Sequence, residues 1–184
     1  MLRVYSSMET TNLATLYDLP VVEWSDITDR LDRQDLSQAP GTGGPNRHTC
    51  WLTTIDEDGA PHTTGIGAQW HDGHWWIETG RTTRKGRNLA RDPRCSLSVA
   101  TEEFDLSVNG TAELVEDPAV VAELCEVWAS GGWPCRVDES GTALTAEFSA
   151  PSAGKPPWHV FRIVPTSAVA LATIGEGGAT RFDF

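Results

Sequence analysis

Positive charge is what this chain has least of. Its 184 residues hold 14 Lys and Arg against 26 Asp and Glu, a formal net charge of −12. Only two of the cations are lysines, Lys85 and Lys155. Nucleic acid and anionic membranes need a broad positive surface, so neither is an expected partner. Long apolar runs are missing as well. No 18-residue apolar window offers a membrane span, and the opening "MLRVYSSMETTNLATLYDLP" lacks the apolar stretch of a signal peptide. The four cysteines, Cys50, Cys95, Cys125 and Cys135, include no pair at metal-ligand or dithiol spacing. They are expected as reduced, buried thiols of a cytoplasmic protein. There is no G-x-S-x-G, no P-loop and no third ligand near His71 and His74. Hydrolase and thiol chemistry therefore have nothing to start from, and the two histidines are expected as surface groups rather than metal ligands.

What is present reads as one domain rich in strands. Residues 1–22 are expected as a loose N-terminal arm, and residues 23–184 as a single domain. Trp24, Ile27 and Leu31 recur at helical spacing over about 24–37, and "APGTGGPN" (39–46) ends that helix as a loop. Strands are expected over 48–55, 61–70, 74–79, 95–100, 104–115 and 158–172, the last interrupted near Pro165. "DEDG", "HDG" and "TEE" supply the tight turns between them. "DPAVVAELCEVWA" (117–129) is a helix, with Pro118 at its first turn. Residues 130–157, broken by Gly and Pro, are expected as an irregular loop insertion with one short strand. The fold class is mainly β with some helix (α+β): an antiparallel split β-barrel of about six strands with peripheral helices.

Against the acidic background, "TGRTTRKGRNLARDP" (79–93) stands apart. Arg81, Arg84, Lys85, Arg87, Arg91 and Arg94 gather six of the 14 cations within 14 positions. A strand ends at Thr79, and Thr82 or Thr83 can cap a helix running to about Arg91, with Leu89 and Ala90 facing inward. The free N–H groups and positive dipole end of such a helix, with threonine hydroxyls and Lys85, suit a phosphate. The competing reading is that these cations decorate an exposed helix face.

The order "DGAPHTTGIG", "WWIETGRTTRKGRNLARDPRCSLSV" and "VNGTAELVEDPA" resembles the flavin-binding split-barrel superfamily. That superfamily includes the pyridoxamine 5′-phosphate oxidases and the flavin/deazaflavin-dependent oxidoreductases. The resemblance covers roughly 47–129 and 158–184. It implies that Thr83, Arg84 and Lys85 hold a cofactor phosphate, with Asn88 supporting the helix start. It implies that His62, Thr63, Thr64 and Gly65 line the ring system and that Thr79 sits near the ribityl chain. Gly65 and Gly67 in one strand favour close backbone approach to a flat ligand, or a bulge. His62 is either a proton donor at the ring or a structural histidine. Trp70, Trp75, Trp76, Trp133 and Trp158 are candidates for a substrate-pocket wall, because flat ligands stack on indole. The implied cofactor is coenzyme F420, whose oligoglutamate tail matches the surplus arginines, with FMN as the alternative. "TRFDF" at the end of the chain resembles the aromatic, Arg-containing ends of the deazaflavin branch. The implied activity is hydride transfer to or from an unsaturated small molecule, in a homodimer with the cofactor at the subunit interface. A non-catalytic flavin- or haem-binding carrier or sensor on the same barrel is the other reading.

Overall fold

Strand alternation and short turns wind the chain into a closed antiparallel barrel. The computed structural model describes residues 8–34 and 49–184. Its strands are β1 (Glu9–Asn12), β2 (Thr49–Ile55), β3 (Pro61–His71), β4 (His74–Thr79), β5 (Arg94–Ala100), β6 (Phe104–Val115), β7 (Arg136–Val137), β8 (Leu144–Thr145), β9 (His159–Ala172) and β10 (Ala179–Asp183). The helices are α1 (Trp24–Asp32), α2 (Arg84–Arg91) and α3 (Pro118–Ser130). The large sheet runs β1-β10-β9-β4-β3-β2-β5-β6, and β6 pairs back onto β9 to close six strands. This is the split barrel that the strand pattern implied.

Local chemistry explains the turns. The β3–β4 hairpin pairs His71 with His74, and both residues between them, Asp72 and Gly73, have positive φ of 43° and 73°. Two such residues match the right-handed strand twist, which makes Asp-Gly the favoured pair. The seam of β6 and β9 carries a register shift between Asn109 and Gly110, opposite Pro165. Proline lacks the N–H of a regular ladder, so a bulge is where a central strand tolerates it. Gly110 is required there, because a Cβ would collide with the Val164 carbonyl.

Two apolar cores result. The first fills the barrel with Leu52, Ile77, Leu97 and Ile163, and α1 plugs one end with Trp24, Ile27 and Leu31. The second lies outside the barrel, where Val121, Leu124 and Trp128 of α3 pack on Trp76 and Val160. Cys125 and Cys135 meet inside this second core with sulfurs 3.5 Å apart, although ten positions separate them in the chain. All four cysteines are buried free thiols, and burial pushes Cys50, Cys95 and Cys135 up to about 12.

Three expectations need correction. The arm is not loose over its described part: Glu9–Asn12 pairs with β10, which itself pairs with β9. Phe182 of β10 is fully buried against Trp24, a burial worth on the order of 2 kcal/mol, and this anchors β10, with β1 beside it, to α1. Residues 130–157 contain two short strands, paired as β7–β8, rather than one. The first helix ends at Asp32, capped by Arg33 and followed by a turn, short of the expected end near 37. The expected loop at 39–46 lies outside the described residues.

Candidate functional site

The basic segment folds as a strand end, a turn and a helix start. Thr83 has extended backbone and caps α2, its hydroxyl oxygen accepting from the Gly86 amide at 3.0 Å. The same hydroxyl donates to the Gly80 carbonyl at 2.8 Å and lies 3.0 Å from the Thr79 hydroxyl. Thr83 therefore closes the helix end and ties it to β4. Gly86 is demanded by packing, since a Cβ would collide with the Gly80 carbonyl. Lys85 is 3% exposed and donates to the Ser152 carbonyl at 2.5 Å. Burial lowers its pKa, while the nearby Glu78 pulls it partly back. The segment around Ser152 is fastened here a second time, by the Gly80 amide to the Ala153 carbonyl at 3.0 Å.

This donor set fits a phosphate. An ammonium group has three donors, and the contact to Ser152 uses one of them. The helix start adds backbone N–H groups and the positive end of the dipole. Leu89 is buried as expected, but Ala90 is exposed, since α2 turns a narrower face to the barrel. Asn88 does not support the helix start. Its side-chain amide donates to Thr54 at 3.0 Å and to Asp56 at 2.8 Å, fixing the middle of α2 on the end of β2.

Arg84, Arg87 and Arg91 do share one face, lining an open cleft of about 630 Å³. Asp56, Glu57 and Asp58 line it with them. Arg84 forms an ion pair with Asp56, whose pKa is lowered to about 2, first by that hydrogen bond and then by the one from Asn88. Arg94 pairs with Asp92 at 2.6 Å. Arg87 and Arg91 donate to the carbonyls of Thr82 and Ile55. Arg81 is exposed.

β3 divides the four ring-lining candidates. Ile66, Ala68 and Trp70 point into the barrel, so the period of two turns His62 and Thr64 to that side and Thr63 and Gly65 to the other. Thr63 meets Thr53 of β2 at 2.8 Å. His62 and Thr64 are half-buried, and Thr79 is fully buried at the end of β4.

The tryptophans also separate. Trp70 and Trp75 pack edge to face, 5.5 Å apart, in the barrel core, and Trp70 donates to Asp32 at 2.6 Å. Trp76 is buried beneath α3 and donates to the His71 carbonyl at 2.9 Å. Trp158 is 2% exposed and supports Trp133, their rings 5.5 Å apart. Of the five wall candidates Trp70, Trp75, Trp76, Trp133 and Trp158, Trp133 alone lines the open aromatic cavity among the described residues. That cavity holds about 200 Å³, and Gly67, Gln69, Glu78, Trp128 and Phe148 line it too. The sequence reading missed Glu78, although a lone carboxylate in "HWWIET" was a visible signal. His71 meets Glu123 of α3 at 2.6 Å, and His74 meets the Asp72 carbonyl at 2.9 Å.

Comparison with known proteins agrees with this architecture. The family profile described as pyridoxamine 5′-phosphate oxidase matches residues 44–168. A conserved hypothetical protein, Rv2991 of Mycobacterium tuberculosis, is 26% identical with a TM-score of 0.54, over 80% of this chain and 83% of its own. PhzG of Burkholderia lata 383, solved with tetrahydrophenazine-1-carboxylic acid, is 16% identical with a TM-score of 0.57, over 91% and 90%. A putative pyridoxamine 5′-phosphate oxidase of Listeria innocua is 19% identical with a TM-score of 0.52, over 79% and 96%. No curated protein matches the chain.

Proposed function

Because the chain belongs to the pyridoxamine 5′-phosphate oxidase family, we propose that it is a flavin- or deazaflavin-dependent oxidoreductase acting on an unsaturated small molecule. The observation that carries this reading is the corner from Thr79 to Lys85. A buried lysine at a capped helix start, hydrogen-bonded to a carbonyl rather than to a carboxylate, is a poised anion site. Lys85, Arg84 and the first amides of α2 would hold the phosphate, and Thr79 and Thr83 would fix their positions. His62, Thr63, Thr64 and Gly65 would border the ring. The cofactor, when bound, supplies the hydride chemistry, and the protein supplies position and exclusion of water. The functional unit is a homodimer. Trp51 of β2 is 53% exposed and Leu171 of β9 is 47% exposed, apolar surface of the kind a second copy covers.

Coenzyme F420 is the first reading of the cofactor, on the shared face of Arg84, Arg87 and Arg91. FMN is the second, and one observation favours it. Asp56, Glu57 and Asp58 balance the charge of that cleft, which leaves less attraction for a tail of carboxylates than for one phosphate at Lys85.

Titration with FMN and with coenzyme F420 of differing tail length, at low and moderate salt, tests both. Lys85→Ala is expected to weaken the bound cofactor by about one to two decades, the worth of a charge-assisted phosphate contact of about 1.5–3 kcal/mol. Unchanged affinity in that variant ends the phosphate assignment. Affinity that rises with glutamate count and falls with salt selects coenzyme F420. A haem absorption band in the purified protein selects the carrier reading instead.

A further inference from the structure

Beside the anion corner, Glu78 is a buried acid with one unpartnered oxygen. Its neighbour Ile77 belongs to the barrel core, so strand alternation turns Glu78 to the outer face of β4. It is 7% exposed, and its Oε2 has no hydrogen-bond partner among the described residues. Lys85 lies near but donates to the Ser152 carbonyl. Folded proteins satisfy buried polar atoms with few exceptions, and each exception calls for a reason.

The surroundings supply one. Glu78 lines the cavity of about 200 Å³, together with Gln69 and the rings of Trp128, Trp133 and Phe148. Gly67 lines it too, and nothing lies within 4 Å of where its Cβ would stand. The strand is bare where the acid faces outward. Trp128 and Trp133 stand nearly perpendicular, at 89°, with centroids 6.3 Å apart, so the walls are held by each other. Trp133 is further fixed by its donation to the Phe148 carbonyl at 2.7 Å.

We infer that this cavity binds a planar ring that presents an adjacent N–H donor and acceptor, a lactam or 2-amino-azine edge, to the Glu78 carboxyl. Indole and phenyl walls select a flat ligand. A protonated carboxyl offers one O–H donor beside one carbonyl acceptor, which is the complement of that edge. Burial pushes the Glu78 carboxyl up to about 8, with Lys85 pulling it partly back, so the proton is present at neutral pH. The groups that sense its charge are Lys85 of α2 and Cys135 beyond α3. Gln69 of β3 and the aromatic walls carry none. As the class of the substrate, the inference rests on the oxidoreductase reading; as a binding pocket, it stands without the cofactor.

The test uses full-length protein without added cofactor and reads quenching of tryptophan fluorescence. The probes are 2-quinolone, N-methyl-2-quinolone and naphthalene. At pH 7 the quinolone is expected to bind the native protein about tenfold or more tighter than either of the others, the discrimination a buried polar partner gives. That preference should fade as pH rises through about 8. Glu78→Gln, whose amide keeps a donor and an acceptor, should retain the preference at pH 9, and Glu78→Leu should abolish it. Equal binding of all three probes to the native protein overturns the inference, as does absence of quenching by any of them. A preference that survives in Glu78→Leu overturns it too. FMN titrated in parallel against the native protein and Lys85→Ala, without any ring probe present, reads the anion corner, so failure of the cofactor reading is seen separately.

Discussion

Lys85 and Glu78 are both buried titratable groups in one neighbourhood, and the fold treats them in opposite ways. Lys85, 3% exposed, has a carbonyl partner, a capped helix behind it and a glycine packed beside it. Glu78, 7% exposed, has an open cavity in front of it and no partner for Oε2. The first region is assembled by backbone and side-chain hydrogen bonds that close on themselves. The second is assembled by aromatic rings that leave a polar atom over. A self-satisfied cation holds a shape until an anion competes for it, whereas an unsatisfied acid lowers stability until a ligand arrives.

That contrast can be broken or sharpened by substitution. The largest loss of stability is expected at Gly86. An added methyl would collide with the Gly80 carbonyl, so Gly86→Ala should lose about 3 kcal/mol in denaturant unfolding. A loss below about 1 kcal/mol would mean the corner is looser than described. Next comes Glu78. It keeps its proton in the fold up to about pH 8, and its ordinary value is 4.5. The folded chain thus binds more protons than the unfolded chain in that window, and stability falls as pH rises through it. The loss is complete above about 8. Glu78→Gln should remove this slope and gain roughly 2–4 kcal/mol over the native chain at pH 9, with near equality at pH 5. Parallel pH curves for the two proteins would show that the acid is not held protonated. The smallest effect is at Thr83, where Thr83→Ala should cost about 1 kcal/mol as a lost helix cap. Unchanged thermal unfolding in that variant would count against the cap's part in holding Lys85.

Much of the barrel is readable in the residues because its hairpins are local. "DEDG" and "HDG" carry glycine or aspartate where φ turns positive, and Phe104, Leu106 and Val108 alternate across β6. β1 leaves no such mark, since it pairs Glu9 with Asp183 at the far end of the chain and no turn joins the two. β10 does carry one, the "TIGEGG" turn from β9 with Gly175, Gly177 and Gly178 at positive φ, but its own five residues are too few to show a clear alternation. The helix start at Thr83 was legible from its cap and cations, but the balancing of its arginines by Asp56, Glu57 and Asp58 was not. Those carboxylates belong to the β2–β3 turn, and only the fold brings them across. Of the five tryptophans read as wall candidates, one lines the aromatic cavity. Indole is as common in a core as in a pocket, and burial alone separates Trp70 and Trp76 from Trp133.

The strap at 148–153 touches both regions. Phe148 and Ala150 line the aromatic cavity, and Ser152 accepts from Lys85. Two peptide units separate the wall of one from the partner of the other. Were an anion at Lys85 to displace the Ser152 contact, it would move the same strap that shapes the cavity, and the two occupancies would share a single coupling free energy. Reciprocity then sets a strict condition. Whatever factor a phosphate imposes on the affinity of the ring ligand, the ring ligand imposes in equal measure on the phosphate.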